Sequence, residues 1–340
     1  MSAQSERFPR IRRFANRPDG ERLVVRDVLR IVYYMPHDHQ ELAAGIEHAL
    51  GVYRRAVGDG PEGLTQSWED GEAIRLNSEE WEMVRASLRP SPTRWFFEDV
   101  PETDLFYRQM SKTQTDRSVL LTGGDQSDDN GYLFWYQARL PSREPSRTGA
   151  SLLTATLPSE YVEAHGPGHV RELAMEMASG LPLSSGHAGL ALALHTARWH
   201  ALPRLKEELA RYPGVDVPGV LTHWHLGDRV DGVHWLNFLG PSLLESLGGQ
   251  ASLRARLHSP GTTVQDVGTS GTAVVTLGAW PEAGDLSRGD NLPAYRELAR
   301  VLDPWMEKFL PGHATVWRGY DSEPAYSEEE VRRWWRRFLD

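Results

Sequence analysis

The sequence predicts an α+β fold, with mixed or antiparallel sheet packed against helices, and three features carry that expectation. Runs rich in β-branched and aromatic residues are separated by short turn-rich connectors, helical periodicities fall irregularly between them, and the even spacing of a doubly wound parallel sheet is missing. The densest instance is residues 231–281. There an apolar run at 233–239 meets a short helix at 241–247, stopped by Gly248 and Gly249, and two β-rich runs at 262–267 and 272–277 flank the turn residues Gly268, Ser270 and Gly271 as a hairpin. No reactive group lies at its centre, so the stretch reads as scaffold.

The other elements follow in order. Residues 1–19 are dominated by Arg, Ser and Pro without a period, which predicts a flexible N-terminal arm over residues 1–20 and a single α+β domain over 21–340. Residues 23–35 hold Val24, Val28, Ile31, Val32, Tyr33 and Tyr34, the content of one long strand or a strand pair. A helix is expected from Asp38, with Glu41 three residues on and Leu42, Ile46, Leu50 and Tyr53 at helical spacing, ending at Gly58 and Gly60. Ser78 caps a short helix with Trp81, Val84 and Leu88 inward, and strands are expected at 118–122, 132–140 and 149–157. A helix at 168–178 precedes the small, apolar stretch 181–194, which reads as a close-packed strand or turn. Pro203 opens the next helix. Pro304 interrupts the one at 293–309, and Ser327 with Glu330 forms the capping box of the last, where Val331, Trp334, Trp335 and Phe338 pack inward. Two sheet-plus-helix lobes and one compact unit both fit this order.

Composition narrows the function classes. With 40% apolar residues in 340, a full core is available. The chain has no cysteine, so disulfides, thiol nucleophiles and Cys-ligated zinc are excluded together. The net charge of −10 is unevenly spread: residues 1–30 carry eight Arg against four acids, whereas residues 60–130 carry 15 acids against seven bases. Such an acidic segment disfavours nucleic acid or an anionic membrane as a direct ligand and favours a basic partner. Residues 1–30 lack the apolar core of a signal peptide, and no run approaches the ~18 apolar residues that span a bilayer, so a cytoplasmic location is expected.

Motifs for chemistry are thin. Near-neighbour histidine pairs occur at His37 and His39, His165 and His169, His195 and His200, and His223 and His225. HGPGH at 165–169 has the outer spacing of a zinc-binding HExxH helix, but Gly-Pro-Gly inside it opposes that helix, and HWH at 223–225 implies no third ligand. GDQSDDNG at 124–131 lacks the register and terminal Glu of a calcium loop and reads as a hairpin turn. GTSGT at 268–272 falls between strands, where a nucleophile elbow needs a strand-to-helix turn, and no phosphate-cradling glycine loop is present. We therefore expect no catalytic residues, no metal and no cofactor.

Four stretches carry a family resemblance. PLSSGHAGLAL at 182–192, GVHWLNFLGPSLLESLGG at 232–249, GTSGTAVVTLGAWPEAGD at 268–285 and LPAYRELARVLDP at 292–304 together resemble the bacterial type VI secretion immunity family typified by TsiV, in the same order and at similar spacing. That resemblance implies an antitoxin that binds and neutralises a cognate secreted effector, a VRR-Nuc-class nuclease that cuts DNA, by occluding its DNA-binding active site. A DNase presents a basic cleft, and an acidic inhibitor is steered into it. The family stretches themselves look structural, with Gly186, Gly189, Trp235, Gly248, Gly249 and Pro281 supplying turns and packing. The partner-binding surface is expected instead in the acidic, aromatic segment: Glu69, Asp70, Glu72, Glu79, Glu80, Glu98, Asp99, Glu102 and Asp104 for charge, with Trp68, Trp81, Trp95 and Phe96 as anchors. An immunity protein for a non-nuclease toxin, and an enzyme with an unrecognised His-containing metal site, are the alternatives at this level.

Overall fold

The computed structural model describes residues 7–17, 20–58, 60–69, 71–90, 103, 117–124, 130–139, 149–194, 205–217, 222–306 and 326–340. Its eleven strands are β1 (Arg13–Arg17), β2 (Gly20–Met35), β3 (Leu64–Glu69), β4 (Glu72–Arg75), β5 (Ser118–Gly123), β6 (Leu133–Gln137), β7 (Ser151–Pro158), β8 (Ser185–Leu194), β9 (Leu236–Leu239), β10 (Thr262–Val267) and β11 (Thr272–Leu277). They form one sheet in the order β10-β11-β9-β8-β2-β7-β6-β5-β3-β4, with β1 also on β2, and every ladder is antiparallel. The expected α+β class is what the chain adopts.

Strand β2 sets this topology. Its 16 residues are long enough to pair with β8 along one edge and with both β1 and β7 along the other. A single sheet thus stands where two lobes were also compatible, because one continuous strand carries the ladders of both wings. Side chains alternate across a strand. Leu29, Ile31, Tyr33 and Met35 enter the main core, whereas Val32 and Tyr34 join a second apolar cluster with Ala150, Leu152 and Leu226 on the other face.

The main core lies under two long helices, α1 (His39–Val57) and α3 (Ser159–Ala178), separated in the chain by α2 (Ser78–Leu88). Helix α1 buries Leu42, Ile46, Ala49 and Tyr53, and Glu41 closes its start by accepting from the Asp38 N–H. Helix α3 begins earlier than the expected 168–178, bends at Gly166 (φ 81°, ψ 159°) ahead of Pro167, and then presents Val170, Leu173, Ala174 and Met177 to the sheet. Helix α2 is capped by Asn77, whose side chain accepts from the Glu80 N–H, one residue before the Ser78 expected from sequence.

The remaining helices are α4 (Lys206–Arg211), α5 (Pro241–Ser246), α6 (Gly249–Arg256), α7 (Pro293–Leu302) and α8 (Glu328–Trp335). Helix α7 passes into a 3₁₀ turn, Asp303–Trp305, at Pro304 as expected, and Ser327 and Glu330 form the expected capping box on α8. Among the described residues no helix is long and apolar enough to cross a membrane.

The N-terminal segment is the clearest departure from the sequence expectation. Over residues 7–17 it is not a flexible arm: Phe8 and Ile11 are 2% and 3% exposed, and β1 pairs with β2. Its arginines explain the docking. Arg10 pairs with Glu163 and lies 3.6 Å from Asp27, Arg12 pairs with Glu160, and Arg13 pairs with Glu208, so the local basic excess is matched by acids on α3 and α4. Arg7 also stacks over Trp280 at 4.1 Å, beside Phe8. Phe8→Ala is expected to cost about 3–5 kcal/mol in urea unfolding, the usual penalty for emptying a buried aromatic site; a loss below about 1 kcal/mol would mean that the segment is only loosely docked.

Candidate functional site

Two groupings of polar side chains stand apart from the core. One lies at the far end of the sheet, where β3, the edge strand β4 and α2 come together. Residues 64–88 hold six acids against two bases. Glu69, Glu72, Glu79 and Glu82 are exposed there, and the register sets Glu69 directly opposite Glu72. Like charges opposite each other across a ladder cost a few tenths of a kcal/mol. Glu80 is half-buried and accepts from the Ser67 hydroxyl.

The two tryptophans expected as anchors in this region are half-buried braces. Trp68 donates its indole N–H to Thr122 Oγ1 at 2.8 Å, and Trp81 lies under the Arg54 guanidinium at 4.1 Å. The apolar side chains that reach solvent here are Ile74 and Met83, which are 36% and 51% exposed. An isolated Ile or Met carries no motif, so neither position stands out in the sequence. Asp70, Trp95, Phe96, Glu98, Asp99, Glu102 and Asp104 lie outside the described residues.

The second grouping is buried, on the face of β2 opposite α1 and α3. Arg30 Nη1 lies 3.2 Å from Asp216 Oδ2, and Arg337 Nη2 from the C-terminal segment lies 3.5 Å from Asp216 Oδ1. Asp216 is fixed by its backbone: its N–H donates to Leu190 O and its carbonyl accepts from the Leu192 N–H, which clips this segment onto β8. His187 on β8 pairs with Asn237 on β9, and Asn237 in turn accepts from the His234 N–H and donates to the His234 carbonyl. That clamp lays the His234 ring flat on His187, with centroids 3.7 Å apart and planes 13° apart. Gly189 makes room, since a Cβ there would meet His234 Cβ at 3.2 Å. Tyr34 Oη donates to Asp231 Oδ2 at 2.6 Å beside this group.

Burial dominates the electrostatics. It holds His234 down to about 4, against the pull of Asp216, and holds His187 well below the usual imidazole range, helped by His234, Arg30 and Arg337. Both rings are therefore neutral in the folded protein near pH 7.

The near-neighbour histidine pairs do not come together in this way. His165 and His169 stack with each other on the exposed side of α3, near Tyr161, and His39 is buried against Tyr136 Oη and Arg89 O. His195 and His200 lie outside the described residues, as does most of the 124–131 turn. His187 and Asp216 are 29 residues apart and Asp216 and His234 are 18 apart, so local spacing does not reveal them.

With this geometry in place, comparison with known proteins decides the family. The model of the TsiV family, type VI immunity for VRR-NUC, matches residues 46–338. The chain belongs to that family. Among solved structures it is similar to the Pseudomonas aeruginosa T6SS protein PA0821, with a TM-score of 0.69 and 21% identity over 95% of this chain and 85% of the other, a likeness of fold. No curated protein matches the chain. As a TsiV-family member it is a type VI immunity protein for VRR-Nuc effectors.

Two stability predictions follow from the buried polar groups. Asp216→Asn removes the one carboxylate that both guanidiniums meet and is expected to destabilise by about 3–5 kcal/mol in urea unfolding; a near-neutral result would show that the pairs are not coupled to folding. His223, 2% exposed with neither ring nitrogen hydrogen-bonded, is held by burial at about 4. Its folded value is below that of the unfolded chain, so between those two values the unfolded state binds more protons. Stability from this residue is complete above about pH 6.5 and is lost as pH falls toward 4, by up to about 3 kcal/mol. The urea midpoint should drop over that window, and His223→Leu should make the drop smaller; an unchanged pH profile in the variant would contradict this assignment.

Proposed function

We propose that this immunity protein is a non-enzymatic, cytoplasmic binder that neutralises a VRR-Nuc effector by covering its DNA-accepting cleft with the acidic edge formed by β3, β4 and α2. The single observation that carries the reading is the facing pair Glu69 and Glu72 on the edge ladder, joined by exposed Glu79 and the Arg85-paired Glu82 on α2, the helix whose Glu80 meets Ser67 of β3. A nuclease cleft that accepts phosphates is basic, so an inhibitor that presents fixed carboxylates competes with DNA for the same charges. Mutual repulsion between these carboxylates in the free protein is relieved when a cationic surface docks, which adds to the drive for association.

Charge steers the encounter, and apolar contact holds the complex. Ile74 and Met83 supply exposed apolar surface within the acidic rim, while Trp68 and Trp81 stiffen it from below. Asp70, Trp95, Phe96, Glu98, Asp99, Glu102 and Asp104 extend the same proposed surface by composition.

The test is association kinetics with the cognate effector. A variant with Glu69, Glu72, Glu79 and Glu82 changed to Lys, folded as judged by circular dichroism, should associate at least about tenfold more slowly at low ionic strength, with a smaller change in dissociation. It should also release DNA cleavage from inhibition. Unchanged association and inhibition in the folded variant would place the interface elsewhere.

A further inference from the structure

We propose that His187, Asp216 and His234 form a binding site for a divalent transition-metal cation of the zinc class. Each residue offers one ligand atom, two imidazole nitrogens and a carboxylate oxygen, and these atoms all lie within 4.8 Å of one another. Two nitrogens and one oxygen, with a fourth position for water, are a donor set that zinc and its neighbours accept, whereas calcium and magnesium require oxygen.

The second, independent observation is an unsatisfied atom. His187 is 3% exposed, yet its Nε2 has no hydrogen-bond partner. Leaving a buried polar nitrogen unpaired costs about 1–3 kcal/mol. A metal ion in contact with that lone pair removes the deficit, and neutral imidazoles present their lone pairs without first losing a proton. β8 and the lead-in to β9 bring the two imidazoles into one place; their planes lie 13° apart, so one ring turns about its Cβ–Cγ bond for both nitrogens to meet a single ion.

The surrounding shell is already built. Metal sites depend on groups that orient their ligands. Asn237 fixes the His234 backbone on both sides, and Arg30 and Arg337 each meet one carboxylate oxygen of Asp216. The two guanidiniums also oppose added positive charge. Asp231, held by Tyr34, supplies a further carboxylate close to Arg337. The result is a site weaker than a closed structural zinc site and sensitive to the loss of any one ligand. A bound ion would tie β8, the segment at Asp216 and the start of β9 into one rigid unit.

The test uses the full-length protein stripped with a chelator, titrated with Co²⁺ and followed by visible absorption, with Zn²⁺ added to displace it. The expected result is the intense d–d absorption of a low-coordinate site, saturating at one ion per chain, and a rise in Tm with Zn²⁺. His234→Gln and His187→Gln, each verified as folded by circular dichroism, should lose the absorption and weaken Zn²⁺ binding at least about tenfold. His165→Gln/His169→Gln, which removes the exposed pair on α3, should leave both readouts unchanged. Absence of the absorption and of any Tm shift in the native protein would overturn the proposal, and so would its persistence in folded His187→Gln and His234→Gln, or its loss with the His165/His169 variant.

Discussion

A sixteen-residue strand paired along both edges is the constraint on which the rest of this molecule depends. From Val28 to Tyr34 strand β2 has a ladder partner on each side, so its backbone groups pair within the sheet and this stretch can be buried on both faces without the cost of unpaired amides. That freedom allows the two faces to differ in chemistry. Leu29, Ile31, Tyr33 and Met35 meet α1 and α3 on one side, while Arg30, Val32 and Tyr34 meet polar and apolar partners from distant parts of the chain on the other. Both ends of the chain are drawn to this strand: β1 and the arginines around it dock at one end, and Arg337 reaches Asp216, and through it Arg30, from the C-terminal segment.

The sheet separates scaffold from presentation. The stretches that carry the family resemblance build β8, β9, α5, β11 and α7, and the three strands are neighbours in one wing of the sheet. The acidic segment builds β3, β4 and α2 at the opposite end, beyond β7, β6 and β5. An inhibitor needs this division. If the acidic edge is the face that meets the effector, as proposed, its strands are already paired in the sheet, which keeps small the ordering cost of association. The ion cluster on β2 serves the rigid wing, linking segments that are remote in sequence through one carboxylate.

Much of the fold was legible in the sequence where local periodicity and turn chemistry agree. The hairpin Thr262–Val267 and Thr272–Leu277 has the bounds its β-rich runs and glycine turn predict, and α1 and α8 start where their capping boxes, Asp38 with Glu41 and Ser327 with Glu330, place them. Gly186 and Gly189 were legible as packing positions but not as strand interior; they sit within β8, where the neighbouring backbone at Val32 and the ring of His234 leave little space for a Cβ. The docked N-terminus was hidden because its order comes from ion pairs to Glu160, Glu163 and Glu208, partners more than a hundred residues away. The same holds for the site residues. Charge composition pointed to Glu69, Glu72 and Glu79, but only the ladder register shows that two of them face each other, and only packing shows that Trp68 and Trp81 brace the edge from within. His187, Asp216 and His234 carry no shared spacing at all; Asn237 and the clip at Leu190 and Leu192 bring them together.

The central functional claim is that the acidic edge is the face that meets the nuclease. Hydrogen–deuterium exchange of the protein alone and in complex with its effector addresses it most directly, because protection is read segment by segment without altering a residue. The account predicts new protection concentrated in residues 64–88, with the β10–β11 hairpin and α7 unchanged. Protection confined to the β10–β11 wing, with residues 64–88 exchanging as in the free protein, would contradict it.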